Sequence, residues 1–349
     1  MRRPLASTVS SIISGPGYWN YNYTPKQFLR LIDTLLRFSE EHSDKMAIAL
    51  SPANARRIVA SGRMAVFIGC ESGFDHEGDP DVLDAFYRLG LRSVQFATQT
   101  GFNDFADSAL APVQGGEKPD HFGGINEHGH KLVTQMNQLG ILIDITHGTE
   151  AVQTQLISSS RAPVVASHET ARAVSGVGLS DAVLKALASK GGLVGIHGAA
   201  AVISKRYRQW MASNPAGAAN SGKAVFDMVG YKPSFTRPPG DHGEFIKRMD
   251  LEFRDRWMAL SAWKEDPSAL SSLPTIDEWA EHVDYVIKLV GPDHVAIGLD
   301  MVAGRSAIPA DPTGYPDLMA ALRRITTPTN VRKIAGENWM RVLEQAKAA

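Results

Sequence analysis

The chain has 349 residues, 44% of them hydrophobic and 21% charged, with a formal net charge of -1. This near-neutral balance excludes binding to polyanions by bulk charge, and the single cysteine, Cys70, excludes an intrachain disulfide. No apolar run reaches the ~18–20 residues of a membrane span, and the opening MRRPLASTVSSIIS lacks the apolar core of a signal peptide, so a cytoplasmic protein without a nucleic-acid partner is expected.

Residues 25–43 read as a helix, with Phe28, Leu29, Ile32, Leu35 and Leu36 at helical spacing, and 52–61 as a second. A strand over 64–69 follows, then a helix over 80–89 with Pro80 in its first turn. The alternation continues with strand 92–97, helix 125–139, strand 141–146, helix 149–158 and strand 163–167. Helix Asp181–Ser189 is stopped by Gly191-Gly192 before strand 193–197, and helix 276–290 leads into strand 294–299. The end reads as two short helices joined near Gly336. Residues 200–275 break the rhythm with Trp, Arg, Pro and Gly, and read as a helical and loop excursion within one domain spanning 1–349. That excursion suits a lid or an interface; an interface there would make a homodimer.

Repeated strand–helix units with short Gly/Pro punctuation predict a parallel sheet. Several strand ends carry polar chemistry and none is followed by a G-x-G-x-x-G loop, which favours a TIM-like (β/α)8 barrel over an open doubly wound sheet. In the segments FIGCESG, ILIDITHG and PVVASHET, an apolar run ends on Glu71, His147 and His168. Parallel barrels open all such ends onto one face, where a carboxylate and two imidazoles make a shell for Zn²⁺ or a similar divalent ion. DHVAIGLD repeats the layout and ends on Asp300. Cys70 reads as a small buried residue. Asp144 reads as a structural carboxylate that could orient a ligand histidine, and the Lys205–Arg208 charges as solvated surface. His121, His128 and His130 read as loop residues, and His242, His282 and His294 as lying outside the site.

The stretches GCESG, LDAFYRLGLRSVQFA, GINEHGHKLVTQMNQLGILIDITH, APVVASHETARAV, LSDAVLKALASKGGLVGI, GPDHVAIGLD and GENWMRVL, taken in order, resemble the membrane (renal-type) dipeptidases, peptidase family M19, of the amidohydrolase-like barrel group. The resemblance runs from about residue 15 to 198 and from about 275 to the end. It implies a metal-dependent hydrolase barrel with two zinc ions, Glu71 bridging them, His147 and His168 on one of them, and Asp300 handling the proton of the attacking water. It also places His197 beside the substrate. The implied activity is cleavage of dipeptides and related small amides.

Three family features differ here. The first strand's His-x-Asp pair, which holds the second zinc, has no counterpart near this N-terminus, where the first histidine is His42. A barrel lacking its first strand in this chain is therefore expected, with one or two zinc ions. The histidine that steadies the substrate carbonyl is replaced by Thr98 or Gln99, and the arginine that grips the substrate carboxylate by Val177 or a neighbour, with Arg172 close by. The expected function is a zinc-dependent dipeptidase-type hydrolase acting on a small molecule. The alternatives are a metal hydrolase of an amide or lactone without a free carboxylate, and a catalytically impaired relative.

Overall fold

The computed structural model describes residues 7–13, 23–71, 74–75, 77–97, 103–109, 121–214, 271–300, 308–309 and 311–348. Thr98, Gln99, His242 and most of the 200–275 excursion (215–270) lie outside the described residues. The excursion begins with two short helices, Ala200–Ile203 and Lys205–Ser213. No helix among the described residues is long and apolar enough to cross a membrane.

Seven parallel strands form one continuous path. In spatial order they are β1 (Ser7–Ile13), β3 (Met64–Glu71), β4 (Leu91–Gln95), β5 (Leu142–Asp144), β6 (Val165–Glu169), β7 (Leu193–Ile196) and β8 (Val295–Ile297). A short strand, β2 (Met46–Ile48), lies off this path, parallel to the start of β3. Among the described residues β1 and β8 have no partner on their outer edges, so a TIM-like curl carries seven strands where a complete barrel has eight. The six strands expected from sequence all form. β1 and β2 are additions: STVSSII holds three apolar residues among four hydroxyl side chains, too weak a pattern to read alone.

Helices are set by their ends. Asn126 accepts from the Gly129 N–H at the start of helix Glu127–Leu139, and left-handed Gly140 stops it. Thr275 and Glu278 form a capping box on helix Ile276–Val290.

The sheet has two apolar faces. Ile68, Val94, Ile143, Ala166, Val194, Ile196 and Val295 pack against the surrounding helices. Ala65, Phe67, Leu142, Val165, Leu193 and Ala296 line the concave face, which Trp339, Met340 and Leu343 of the C-terminal helix close at one end. The curl is tight: a Cβ on Gly298 would lie 2.0 Å from the Ser167 carbonyl, two strands away. Because side chains alternate along a strand, the concave face continues through Glu71, Asp144, His197 and Asp300. By the same count His147 and His168 belong to the helix-facing side.

Candidate metal centre

Both histidines are brought inward by backbone irregularities. The β6–β7 register shifts between Ala166 and Glu169, which re-aims His168. β5 ends at Asp144, earlier than the expected 146, because the Asp144 carboxylate turns back to accept from the Thr146 N–H at 3.0 Å and hydroxyl at 2.7 Å. Three residues on, His147 adopts φ 65, a left-handed conformation unusual for a non-glycine, and its carbonyl accepts from the Ala109 N–H at 2.8 Å. Asp300 is also left-handed, at φ 48. Strained backbone at two neighbouring polar side chains is a mark of a functional site.

Glu71, His147 and His168 converge. His147 Nε2 is 3.2 Å and His168 Nε2 3.4 Å from Glu71 Oε1, and the two nitrogens are 3.3 Å apart. These three near-equal edges match one face of a ligand tetrahedron: bonds of ~2.0–2.1 Å to zinc place ligand atoms roughly 3.3–3.4 Å apart. Two N–H groups would not face each other at this spacing, whereas two lone pairs around a cation would. This is the one cluster of its kind among the described residues. Ser167 holds the far nitrogen of His168: its Oγ lies 2.8 Å from Nδ1, which steadies the ring with Nε2 facing the cluster. Asp144 touches neither His147 nor His168. It accepts from the Ser167 N–H at 3.0 Å and so acts through the β6 backbone.

His197 and Asp300 lie beside this trio. The His197 ring packs edge-on against His168, with centroids 5.3 Å apart, and its Nε2 is 3.6 Å from Asp300 Oδ2. Burial, reinforced by His168 and His147, holds His197 well below the usual imidazole range. Burial raises the Asp300 carboxyl despite the opposing pull of His168. Burial also raises the carboxyl of the partly buried Glu169, against the opposing pull of His147 and His168. At Glu71 burial works upward, but His168 and His147 outweigh it and keep the carboxyl well below the usual range. His168 is the converse: burial opposes its charge, yet Asp300 and Glu71 push it up to about 10.

The sign of the His168 shift gives a test. In the metal-free protein its charge stabilises the fold fully below pH 6.5, and that contribution is lost as pH rises through about 10. A metal must displace this proton. Apparent affinity is expected to rise by about tenfold per pH unit through neutrality, with close to one proton released per ion. Calorimetric titration in buffers of different ionisation enthalpy measures the release; pH-independent binding would contradict this ligand set.

The other candidates fall away from the cluster. Val177 is exposed on a turn between two left-handed glycines. Arg172 lies on the surface of the short helix Arg172–Ser175, donating to the Gly178 carbonyl and to Glu150. Buried His282 ties two segments together, accepting from the Ala171 N–H and facing the Ile203 carbonyl. Cys70 is buried on the helix-facing side of β3.

The sequence model of the membrane dipeptidase family (peptidase family M19) matches residues 9–349. The chain belongs to this family. The dipeptidase tcpJ of Claviceps purpurea is 27% identical over 321 residues, covering 90% of this chain and 59% of that protein. The dipeptidase verJ of Clonostachys rogersoniana is 24% identical over 324 residues, covering 91% of this chain and 65% of that protein. The chain thus spans less than two thirds of either fungal relative. Its fold is that of the probable dipeptidase PvdM from Pseudomonas aeruginosa, with a TM-score of 0.70 at 24% identity, covering 95% of this chain and 84% of that one. A Rhodobacter sphaeroides metallopeptidase, solved with a phosphinate mimic of L-Ala-D-Ala, superposes with a TM-score of 0.66 at 23% identity, covering 92% and 75%.

Proposed function

We propose that this protein is a zinc-dependent hydrolase that cleaves the amide bond of dipeptides or related small amides. The observation that carries the reading is the triangle of Glu71 Oε1 and the two histidine Nε2 atoms, in a membrane dipeptidase chain, with Asp300 on the same concave face. Glu71, His147 and His168 would hold the ion. Bound zinc supplies a water acidified toward neutrality and polarises the scissile carbonyl. Asp300 takes the proton from the attacking water and passes it to the leaving amine. Its upward-shifted carboxyl suits both halves of that transfer. Thr98 or Gln99 would donate a hydrogen bond to the substrate carbonyl.

The test is hydrolysis of L-Ala-D-Ala and L-Ala-L-Ala by the zinc-loaded chain, with chelated protein and Asp300→Asn as controls. Turnover that depends on zinc and falls by about 100-fold or more in Asp300→Asn is the expected result. Equal turnover with and without chelator would overturn the reading.

A second substrate class is favoured by one observation. The turn that presents Val177 offers an isopropyl group, and Arg172 beside it is engaged by Gly178 and Glu150. An apolar side chain cannot replace a bidentate cationic clamp. Faster cleavage of a C-terminally amidated dipeptide than of the free acid would select this class.

A further inference from the structure

We propose that His197 is a positioning residue for Asp300: it presents one ring N–H, of fixed tautomer, to the turn and carboxylate of that residue. The proposal rests on the reading of Asp300 given above. It starts from the ring's other nitrogen. The Ala199 N–H donates to His197 Nδ1 at 3.0 Å, which requires a lone pair there and leaves the proton of the neutral ring on Nε2. That N–H faces the β8 end, with Nε2 3.6 Å from Asp300 Oδ2.

The backbone makes the same join. Gly198 N–H donates to the Leu299 carbonyl at 3.0 Å, and the Gly198 carbonyl accepts from Ile308 N–H at 2.7 Å. Gly198 permits this approach, since a Cβ there would lie 2.9 Å from both the Leu299 and the Ile308 oxygens. The β7 end therefore clasps the β8 end immediately before Asp300, which sits at φ 48, a conformation its side chain does not favour. A residue N-terminal to the clasp adds to the fit: the His197 N–H donates to the Glu169 carbonyl at 2.9 Å, tying the ring to the strand that carries His168. His197 would thus set where the Asp300 carboxylate stands without holding the ion or touching the reacting atoms.

The experiment uses the full zinc-loaded chain with L-Ala-D-Ala as substrate, and the variants His197→Phe, His197→Gln and Asp300→Asn. Phe fills the space without a donor; Gln restores an N–H. In His197→Phe, kcat is expected to fall on the order of tenfold or more with KM within about twofold and zinc content unchanged, and Gln is expected to recover most of the loss. A kcat for His197→Phe within about twofold of wild type, or a loss that tracks zinc content, would overturn the proposal. Asp300→Asn separates the two ideas: loss there with none in His197→Phe removes the positioning role alone. Full activity in Asp300→Asn, or no dipeptide hydrolysis by the wild type, removes the reading beneath it. A readout independent of turnover and of variant folding is nitrogen NMR of histidine-labelled wild-type protein. The Nε2–H tautomer is expected at His197; an Nδ1–H tautomer would overturn the proposal.

Discussion

His147→Ala is expected to lose its metal and its hydrolytic activity together. The substitution removes one of the three proposed ligand atoms, whose mutual spacings are 3.2, 3.4 and 3.3 Å, and the remaining pair cannot close a tetrahedral face. Metal catalysis of this type contributes several kcal/mol of transition-state stabilisation, so the fall in turnover is on the order of a thousandfold or more. Elemental analysis of purified protein reads the metal and a dipeptide assay the rate; activity and metal content both unchanged would dismiss the site. His282→Gln is the contrasting control. His282 is buried and bonded to two segments, yet its contacts are the Ala171 N–H and the Ile203 carbonyl, so it should weaken the fold and leave metal stoichiometry alone.

Trp279→Ala is expected to be the most damaging substitution for stability, at about 3–5 kcal/mol. Trp279 is fully buried on helix Ile276–Val290 and is one of the largest side chains in the core. Its removal leaves a cavity between that helix and the sheet, where the neighbours are held by both and cannot collapse. The indole N–H also donates to the Ile196 carbonyl at 3.3 Å, so the lost volume comes with a buried acceptor left without its donor. Ile196 immediately precedes His197, which connects this core position to the candidate site. Trp279→Phe keeps most of the ring volume but not the donor, and should cost about 1–3 kcal/mol. Chemical denaturation of the metal-free protein measures both. Equal stability of the Ala variant and wild type would mean that this helix does not brace the β7 end.

The two expectations differ in where their information lies. Trp279 is readable as core from its helical spacing with Val283 and Val286, because burial of a helix stripe is a local pattern. The roles of Glu71 and His147 need more than pattern. Glu71, His197 and Asp300 share a face with the concave core residues by simple alternation, so their strand-end positions already placed them together. His147 and His168 do not share that face by alternation, and a strict count along β5 and β6 would have turned both toward the helices.

What the sequence by itself determined is the order of the six strands from residue 64 onward, the barrel class, the family, and the residue types that meet at the strand ends. These follow from apolar periodicity, Gly and Pro punctuation and ordered motifs, all carried by neighbours along the chain. Only the tertiary structure decided which way His147 and His168 point. The register shift at Ala166–Glu169 exists because β6 must pair with β7, and the left-handed turn at His147 is held by the Ala109 N–H from another loop. It also decided that STVSSII is a strand, through its pairing with β3, and that Ser167 serves His168. Each of these depends on a partner distant in sequence, and no run of neighbouring residues specifies such a partner.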